Sequence, residues 1–102
     1  MGVPFLIALT IHLHFPENGS LKGKRKELLS VRAALSRRFG ASVAEVADQD
    51  LWQRATLAAA VVSRTPGEVD RAADAVERYL YGRFPDGVRV ERRLLSFEDL
   101  DV

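Results

Sequence analysis

The sequence predicts an α+β sandwich in which one four-stranded antiparallel sheet is covered on one face by two helices. Three observations predict it. Residues 3–15 alternate apolar and mixed positions with period 2. Two stretches with helical spacing begin at Ser20 and Thr65, each at a good N-cap residue. Between them lies a Gly- and Pro-free run, "ASVAEVADQDLWQRATLAAAVVS", with a polar break in its middle. One domain covers residues 1–102, a length that suits a single core.

In the first strand Phe5, Ile7, Leu9, Ile11, Leu13 and Phe15 share one face, and Leu6, Ala8, Thr10, His12 and His14 share the other. "PENGS" ends it with turn residues. The first helix spans 21–39, with Leu21, Leu28, Val31, Leu35 and Phe39 as its apolar stripe and Gly40 as its stop. The central run is too long for one strand, so "DQD" is read as a hairpin turn between strands near 42–48 and 52–64. Thr65, Pro66 at N1 and Glu68 at N3 make a capping box. The second helix carries Val69, Ala72, Ala73, Val76 and Leu80 inward, with Asp74 and Arg78 as an i,i+4 pair and Gly82 at its C-terminus. "FPDG" turns the chain into a last strand, Val88 to Phe97. The order β-α-β-β-α-β, with right-handed crossovers, is the ferredoxin-like fold.

The chain contains no cysteine, which excludes disulfides, thiolate metal sites and cysteine nucleophiles and suits the cytoplasm. No apolar run approaches the roughly 20 residues of a membrane helix, and "VPFLIALTI" reads as a strand rather than a signal peptide. Net charge is +1, but residues 17–39 concentrate Lys22, Lys24, Arg25, Lys26, Arg32, Arg37 and Arg38 against only Glu17 and Glu27, while "FEDLDV" is acidic. Arginine far outnumbers lysine and Asn, Gln and Met are scarce, which fits either a thermophilic source or a GC-rich genome.

The segments "SLKGKRKELL" and "SVAEVADQDLWQRATLAAAVVS" resemble the YlxP-like family of small bacterial proteins of unknown function. The resemblance rests on Ser20, Leu21, Lys22, Lys24 and Arg25, and on Asp50, Leu51, Trp52, Gln53, Arg54 and Ala55, and spans nearly the whole chain. It implies a ferredoxin-like fold, no established enzymatic activity, and gene neighbourhoods rich in translation and ribosome-maturation genes. It supplies no catalytic residues.

Four constellations are candidates for function. Lys22, Lys26 and Arg37 fall on one helical face and, with the N–H groups after Ser20, can hold a phosphate or an RNA backbone; a solvated basic helix face is the alternative. Arg25 and Arg32 are read beside the apolar stripe as structural ion pairs with Glu45, Asp48 or Asp50, and Lys24 as snorkelling past it. The helix-free sheet face is expected to expose Thr10, His12 and His14, with Trp52 and Arg54 at the same end and Ala58 and Ala60 at its centre. That centre lacks the stacking aromatics of an RNA recognition motif and suits a second subunit, through this face or a strand edge. His12 and His14 point the same way on a strand, but nothing in the spacing demands a third ligand, so no metal or other cofactor is expected.

No nucleophile, base and orienter can be assembled, and the arginine loop of acylphosphatases is absent from "PENGS", so no catalytic residue is assigned. The expected function is a non-catalytic RNA- or ribosome-associated binding module in the cytoplasm, homodimeric, without sequence-specific DNA readout. The alternatives are a homodimeric protein–protein assembly module and a small-molecule-binding or enzymatic domain.

Overall fold

The computed structural model describes residues 2–100. Strand β1 (Phe5–His14) leads into helix α1 (Leu21–Phe39), the hairpin β2 (Ser42–Ala47) and β3 (Arg54–Ser63), helix α2 (Pro66–Arg83) and strand β4 (Val88–Ser96), and a 3-10 turn, Phe97–Leu100, follows. The strands form one sheet in the order β2-β3-β1-β4, with every neighbouring pair antiparallel. This is the ferredoxin-like arrangement.

β1 and β3 are the two interior strands, and alternation along β1 puts its odd-numbered residues on the helix side. Ile7, Leu9, Ile11 and Leu13 are buried towards the helices with Ala55, Leu57, Ala59 and Val61 of β3. From α1 come Leu28, Val31 and Leu35, and from α2 Val69, Ala73, Val76 and Leu80. Burying aliphatic side chains of this size stabilises the fold by about 1.5–3 kcal/mol each relative to exposure.

Both helices start where their caps dictate. The Ser20 side chain accepts from Gly23 N–H at 3.0 Å, and Thr65 accepts from Glu68 N–H at 3.2 Å. The Glu68 carboxylate completes no reciprocal bond to Thr65; it is taken instead by the Ser63 hydroxyl and the Arg64 guanidinium. Both contacts hold its carboxyl below the usual carboxylate range, the hydroxyl bond most strongly. Gly40 ends α1 with a left-handed φ of 66° that most residues avoid. Helix α2 runs through Gly82 to Arg83 and is capped at Phe84.

One expected pairing is replaced by a longer-range one. Asp74 turns from Arg78 to Arg92 of β4, which also reaches Glu77, at 2.8 and 2.5 Å, and Asp70 at 3.4 Å. These contacts, the Asp74 bond foremost, raise the Arg92 pKa further above its ordinary value. Strand β3 begins at Arg54, so Trp52 lies in the β2–β3 connection and not on the sheet. Of the acidic tail, Glu98 and Asp99 lie in the 3-10 turn, and Asp101 falls outside the described residues.

Candidate functional site

The outward side of α1 is a strip of cations without counter-ions. Lys22, Arg25, Lys26, Arg32 and Arg37 are exposed, and none forms an ion pair among the described residues. The helix's one acid, Glu27, is already engaged by Arg83 of α2 at 2.9 Å. Burial opposes the charge of Arg83, but its bonds to Tyr79 and Glu27 outweigh this and raise its pKa. Arg38 lies over the rings of Phe39 and Tyr79, 5.1 and 5.0 Å from their centroids, as a cation–π contact.

Lys22, Arg25 and Lys26 line one shallow depression with Ser20, Gly23 and Leu29. Arg37 is on the same helix but about three turns further along, roughly 16 Å from Lys26, and extends the strip rather than joining the depression.

The ion-pair role expected of Arg25 and Arg32 belongs to Lys24. Its side chain is 2% exposed, and its ammonium sits 3.2 Å from Glu45 Oε2 and donates to the Asp48 carbonyl at 2.5 Å. Arg25 and Arg32 point to solvent because the buried stripe of α1 is centred on Leu28, Val31 and Leu35. At about 100° per residue Lys24 falls in the middle of that stripe, whereas Arg25 and Arg32 fall some 65–85° to its side. Asp50 is exposed and forms no ion pair among the described residues.

Asp48 joins the two faces of the sheet. It adopts a positive φ of 65°, a conformation that Asp tolerates better than most side chains. Its carbonyl meets Lys24 on the helix side, while its carboxylate accepts from the Thr56 hydroxyl at 3.0 Å.

The connection after Asp48 is tied to the start of α1. The Asn18 amide donates to Ser20 O at 2.8 Å and to Trp52 O at 2.5 Å. The Gln53 amide donates to Pro16 O and Asn18 O, both at 3.2 Å, and Gln53 O accepts from Phe15 N–H at 2.8 Å. These bonds hold the backbone while leaving two large apolar side chains in solvent, Leu51 at 46% and Trp52 at 54% exposure.

The open sheet face follows from the register. Opposite His14, His12, Thr10, Ala8 and Leu6 of β1 stand Arg54, Thr56, Ala58, Ala60 and Val62 of β3. Arg89, Glu91, Arg93 and Leu95 of β4 flank His12, Thr10, Ala8 and Leu6 on the other side. The centre is small and the polar groups gather at one end. There His12, His14, Asp48, Arg54, Thr56, Asp86 and Arg89 line an open cleft of about 410 Å³.

His12 Nε2 lies 2.7 Å from Glu91, which also takes Arg89 at 3.1 Å. The His12 bond first, then Arg89, holds the Glu91 carboxyl below its ordinary range. Of the hairpin carboxylates, Asp48 lines this cleft with the histidines and accepts from Thr56, Glu45 is on the helix side of the sheet with Lys24, and Asp50 is in the loop. Among the described residues no group of three or more His, Asp or Glu has metal-binding geometry. No described helix is long and apolar enough to cross a membrane.

The fold is similar to solved structures of low sequence identity. The de novo designed protein Foldit4 matches with a TM-score of 0.53 at 12% identity, over 90% of this chain and 96% of that one. A Shewanella oneidensis protein of known crystal structure matches with a TM-score of 0.51 at 18% identity, over 89% and 91%. These likenesses concern the fold alone. In sequence, the uncharacterised protein YlxP of Bacillus subtilis (strain 168) is 30% identical over 80 residues, covering 78% of this chain and 83% of YlxP. Residues 6–92 match the family described as protein of unknown function, DUF503. The chain belongs to this YlxP-like DUF503 family of proteins of unknown function.

Proposed function

We propose that this protein is a non-catalytic RNA-binding module of the cytoplasm, acting in translation or ribosome maturation, and that the outward side of α1 holds the RNA backbone. One observation carries the reading: five exposed cations, Lys22, Arg25, Lys26, Arg32 and Arg37, share one helix whose single acid, Glu27, is engaged by Arg83, and they have no carboxylate partner among the described residues. Long cationic side chains free of internal partners suit a polyanion, and phosphate contacts of this kind need no base-specific geometry.

The test is binding to ribosomal RNA and ribosomal particles over a salt series. Affinity should fall as salt rises, and Lys22→Ala with Lys26→Ala should lower the slope of log K against log salt by about 2. Equal binding by wild type and the double variant overturns the reading.

A second reading, homodimeric assembly, is favoured by the uncovered sheet face. Ala8, Ala58 and Ala60 permit close approach at its centre, and the alternating Arg89, Glu91 and Arg93 can pair with the same row of a second copy related by a two-fold axis. Light scattering on wild type and Ala58→Glu, at a protein concentration well above about 1 μM, where an association of about 8 kcal/mol is saturated, tests it. A wild-type monomer overturns it, and a dimer dissociated by Ala58→Glu is the expected result.

A further inference from the structure

We infer that Trp52 is a base-stacking platform and that the RNA held by α1 is single-stranded where it passes this loop; the inference rests on the phosphate-binding reading above. Trp52 is the only tryptophan in the chain, and it is 54% exposed in the β2–β3 connection, two residues before β3 begins. Its neighbour Leu51 is 46% exposed, so two large apolar side chains stand in solvent on a loop tied to the start of α1, and a ligand with a flat apolar face would cover the ring.

Placement supplies the rest. One amide group, that of Asn18, binds the carbonyl oxygens of both Ser20 and Trp52, which puts the two backbones within roughly 5 Å of each other. Lys22, Arg25 and Lys26 follow Ser20 within the next two turns and are exposed. The loop that carries the exposed ring is therefore tied at Trp52 to the start of a row of cations, and an aromatic ring with a basic row is the combination by which single strands are bound without sequence preference. A duplex keeps its bases stacked on one another and offers the ring no face.

Because no second tryptophan contributes, the emission of the intact protein reports directly on this ring. Three probes separate the outcomes: a single-stranded oligouridylate, a duplex RNA of similar length, and heparin as a polyanion without bases. Oligouridylate should quench the emission to a saturating limit, while heparin should bind and leave it unquenched. Trp52→Ala should weaken oligouridylate binding about tenfold with an unchanged salt slope, and Trp52→Phe should restore most of that loss. Unquenched emission at saturation, with wild-type affinity in Trp52→Phe and Trp52→Ala, overturns the stacking inference and leaves the phosphate reading standing. No binding of either RNA at low salt overturns both. Should Trp52→Ala fold poorly, the wild-type quench and Trp52→Phe decide.

Discussion

Lys24 and Glu45 face each other at 3.2 Å between α1 and β2, the lysine 2% exposed and the glutamate 21%. The contact is electrostatic rather than a formed hydrogen bond, since Glu45 Oε2 is buried and has no hydrogen-bond partner. The same ammonium donates to the Asp48 carbonyl. Lys24→Met therefore strands a partly buried carboxylate and should destabilise the protein by about 3 kcal/mol. Adding Glu45→Leu should recover most of this, leaving about 1 kcal/mol for the unmet Asp48 carbonyl. Urea midpoints of the three proteins decide; a Lys24→Met loss below about 1 kcal/mol would mean that solvent screens the pair.

Arg25 should behave in the opposite way. It is exposed and without an ion pair among the described residues, so Arg25→Met should change stability by no more than about 0.5 kcal/mol. The same variant should weaken RNA binding at low salt. A large stability loss would place Arg25 inside the fold and remove it from the phosphate path.

Arg92 gathers Asp70, Asp74 and Glu77 of α2 onto β4. Its side chain is 30% exposed, so the network is screened, and Arg92→Met should cost only about 1 kcal/mol. Urea unfolding at low and at high salt should show that cost shrinking with ionic strength. A salt-independent cost would assign it to lost packing of the arginine stem instead.

Acid stability should depend on Glu68 and Glu91. Both carboxyls are held below their ordinary range, Glu68 chiefly by the Ser63 hydroxyl and Glu91 chiefly by His12. The native state then binds fewer protons than the unfolded chain at acid pH. Their contribution is complete above the ordinary carboxylate value of about 4.3 and is lost as pH falls through the lower native value. Thermal midpoints measured from about pH 3 to 7 should fall on the acid side, and less steeply in Glu68→Gln and Glu91→Gln. An identical acid slope in both variants would show that these two groups do not govern it.

Gly23 sits under the Asn18 amide. A Cβ at Gly23 would stand only 2.3 Å from Asn18 Oδ1, the movable end of a side chain. Gly23→Ala should thus leave α1 intact, even favoured by up to about 1 kcal/mol of helix propensity, while pushing Asn18 off Trp52 O. Amide exchange in residues 49–53 should accelerate in Gly23→Ala as in Asn18→Ala, with no fall in the urea midpoint. Unchanged exchange in both would show that Gln53 alone holds the loop.

Much of this was legible along the chain because it is set locally. The alternation in β1, the caps at Ser20 and Thr65 and the stop at Gly40 each act within a few residues, and the helices lie where those signals put them. The inward phase of α1 was less legible. Reading the stripe from Leu21 turned the helix too far and drew Arg25 and Arg32 inward. Centring it on Leu28, Val31 and Leu35 would have found Lys24, although a lysine in a buried stripe runs against the usual preference. The partners of Asp74 and Glu27 were out of reach, because Arg92 and Arg83 arrive from other elements and local spacing favours neighbours such as Arg78. Taking "DQD" as the whole turn puts Trp52 on the strand near 52–64, whereas β3 begins only at Arg54. Only the bonds from Asn18 and Gln53 show the chain already committed to a loop there.

The irregularity in β2 bears on how the protein avoids self-templating. The pairing of β2 with β3 shifts register between Glu45 and Ala47, and β2 is one of the two strands with a free side. A bulge there twists the strand and breaks the row of backbone groups that an added strand would copy. The other free side belongs to β4, where Arg89, Glu91, Arg92 and Arg93 would set charge against charge in a stacked ladder. Both margins of the sheet thus carry features that oppose an added strand, and concentrated refolding should end in discrete particles rather than extended β-aggregates.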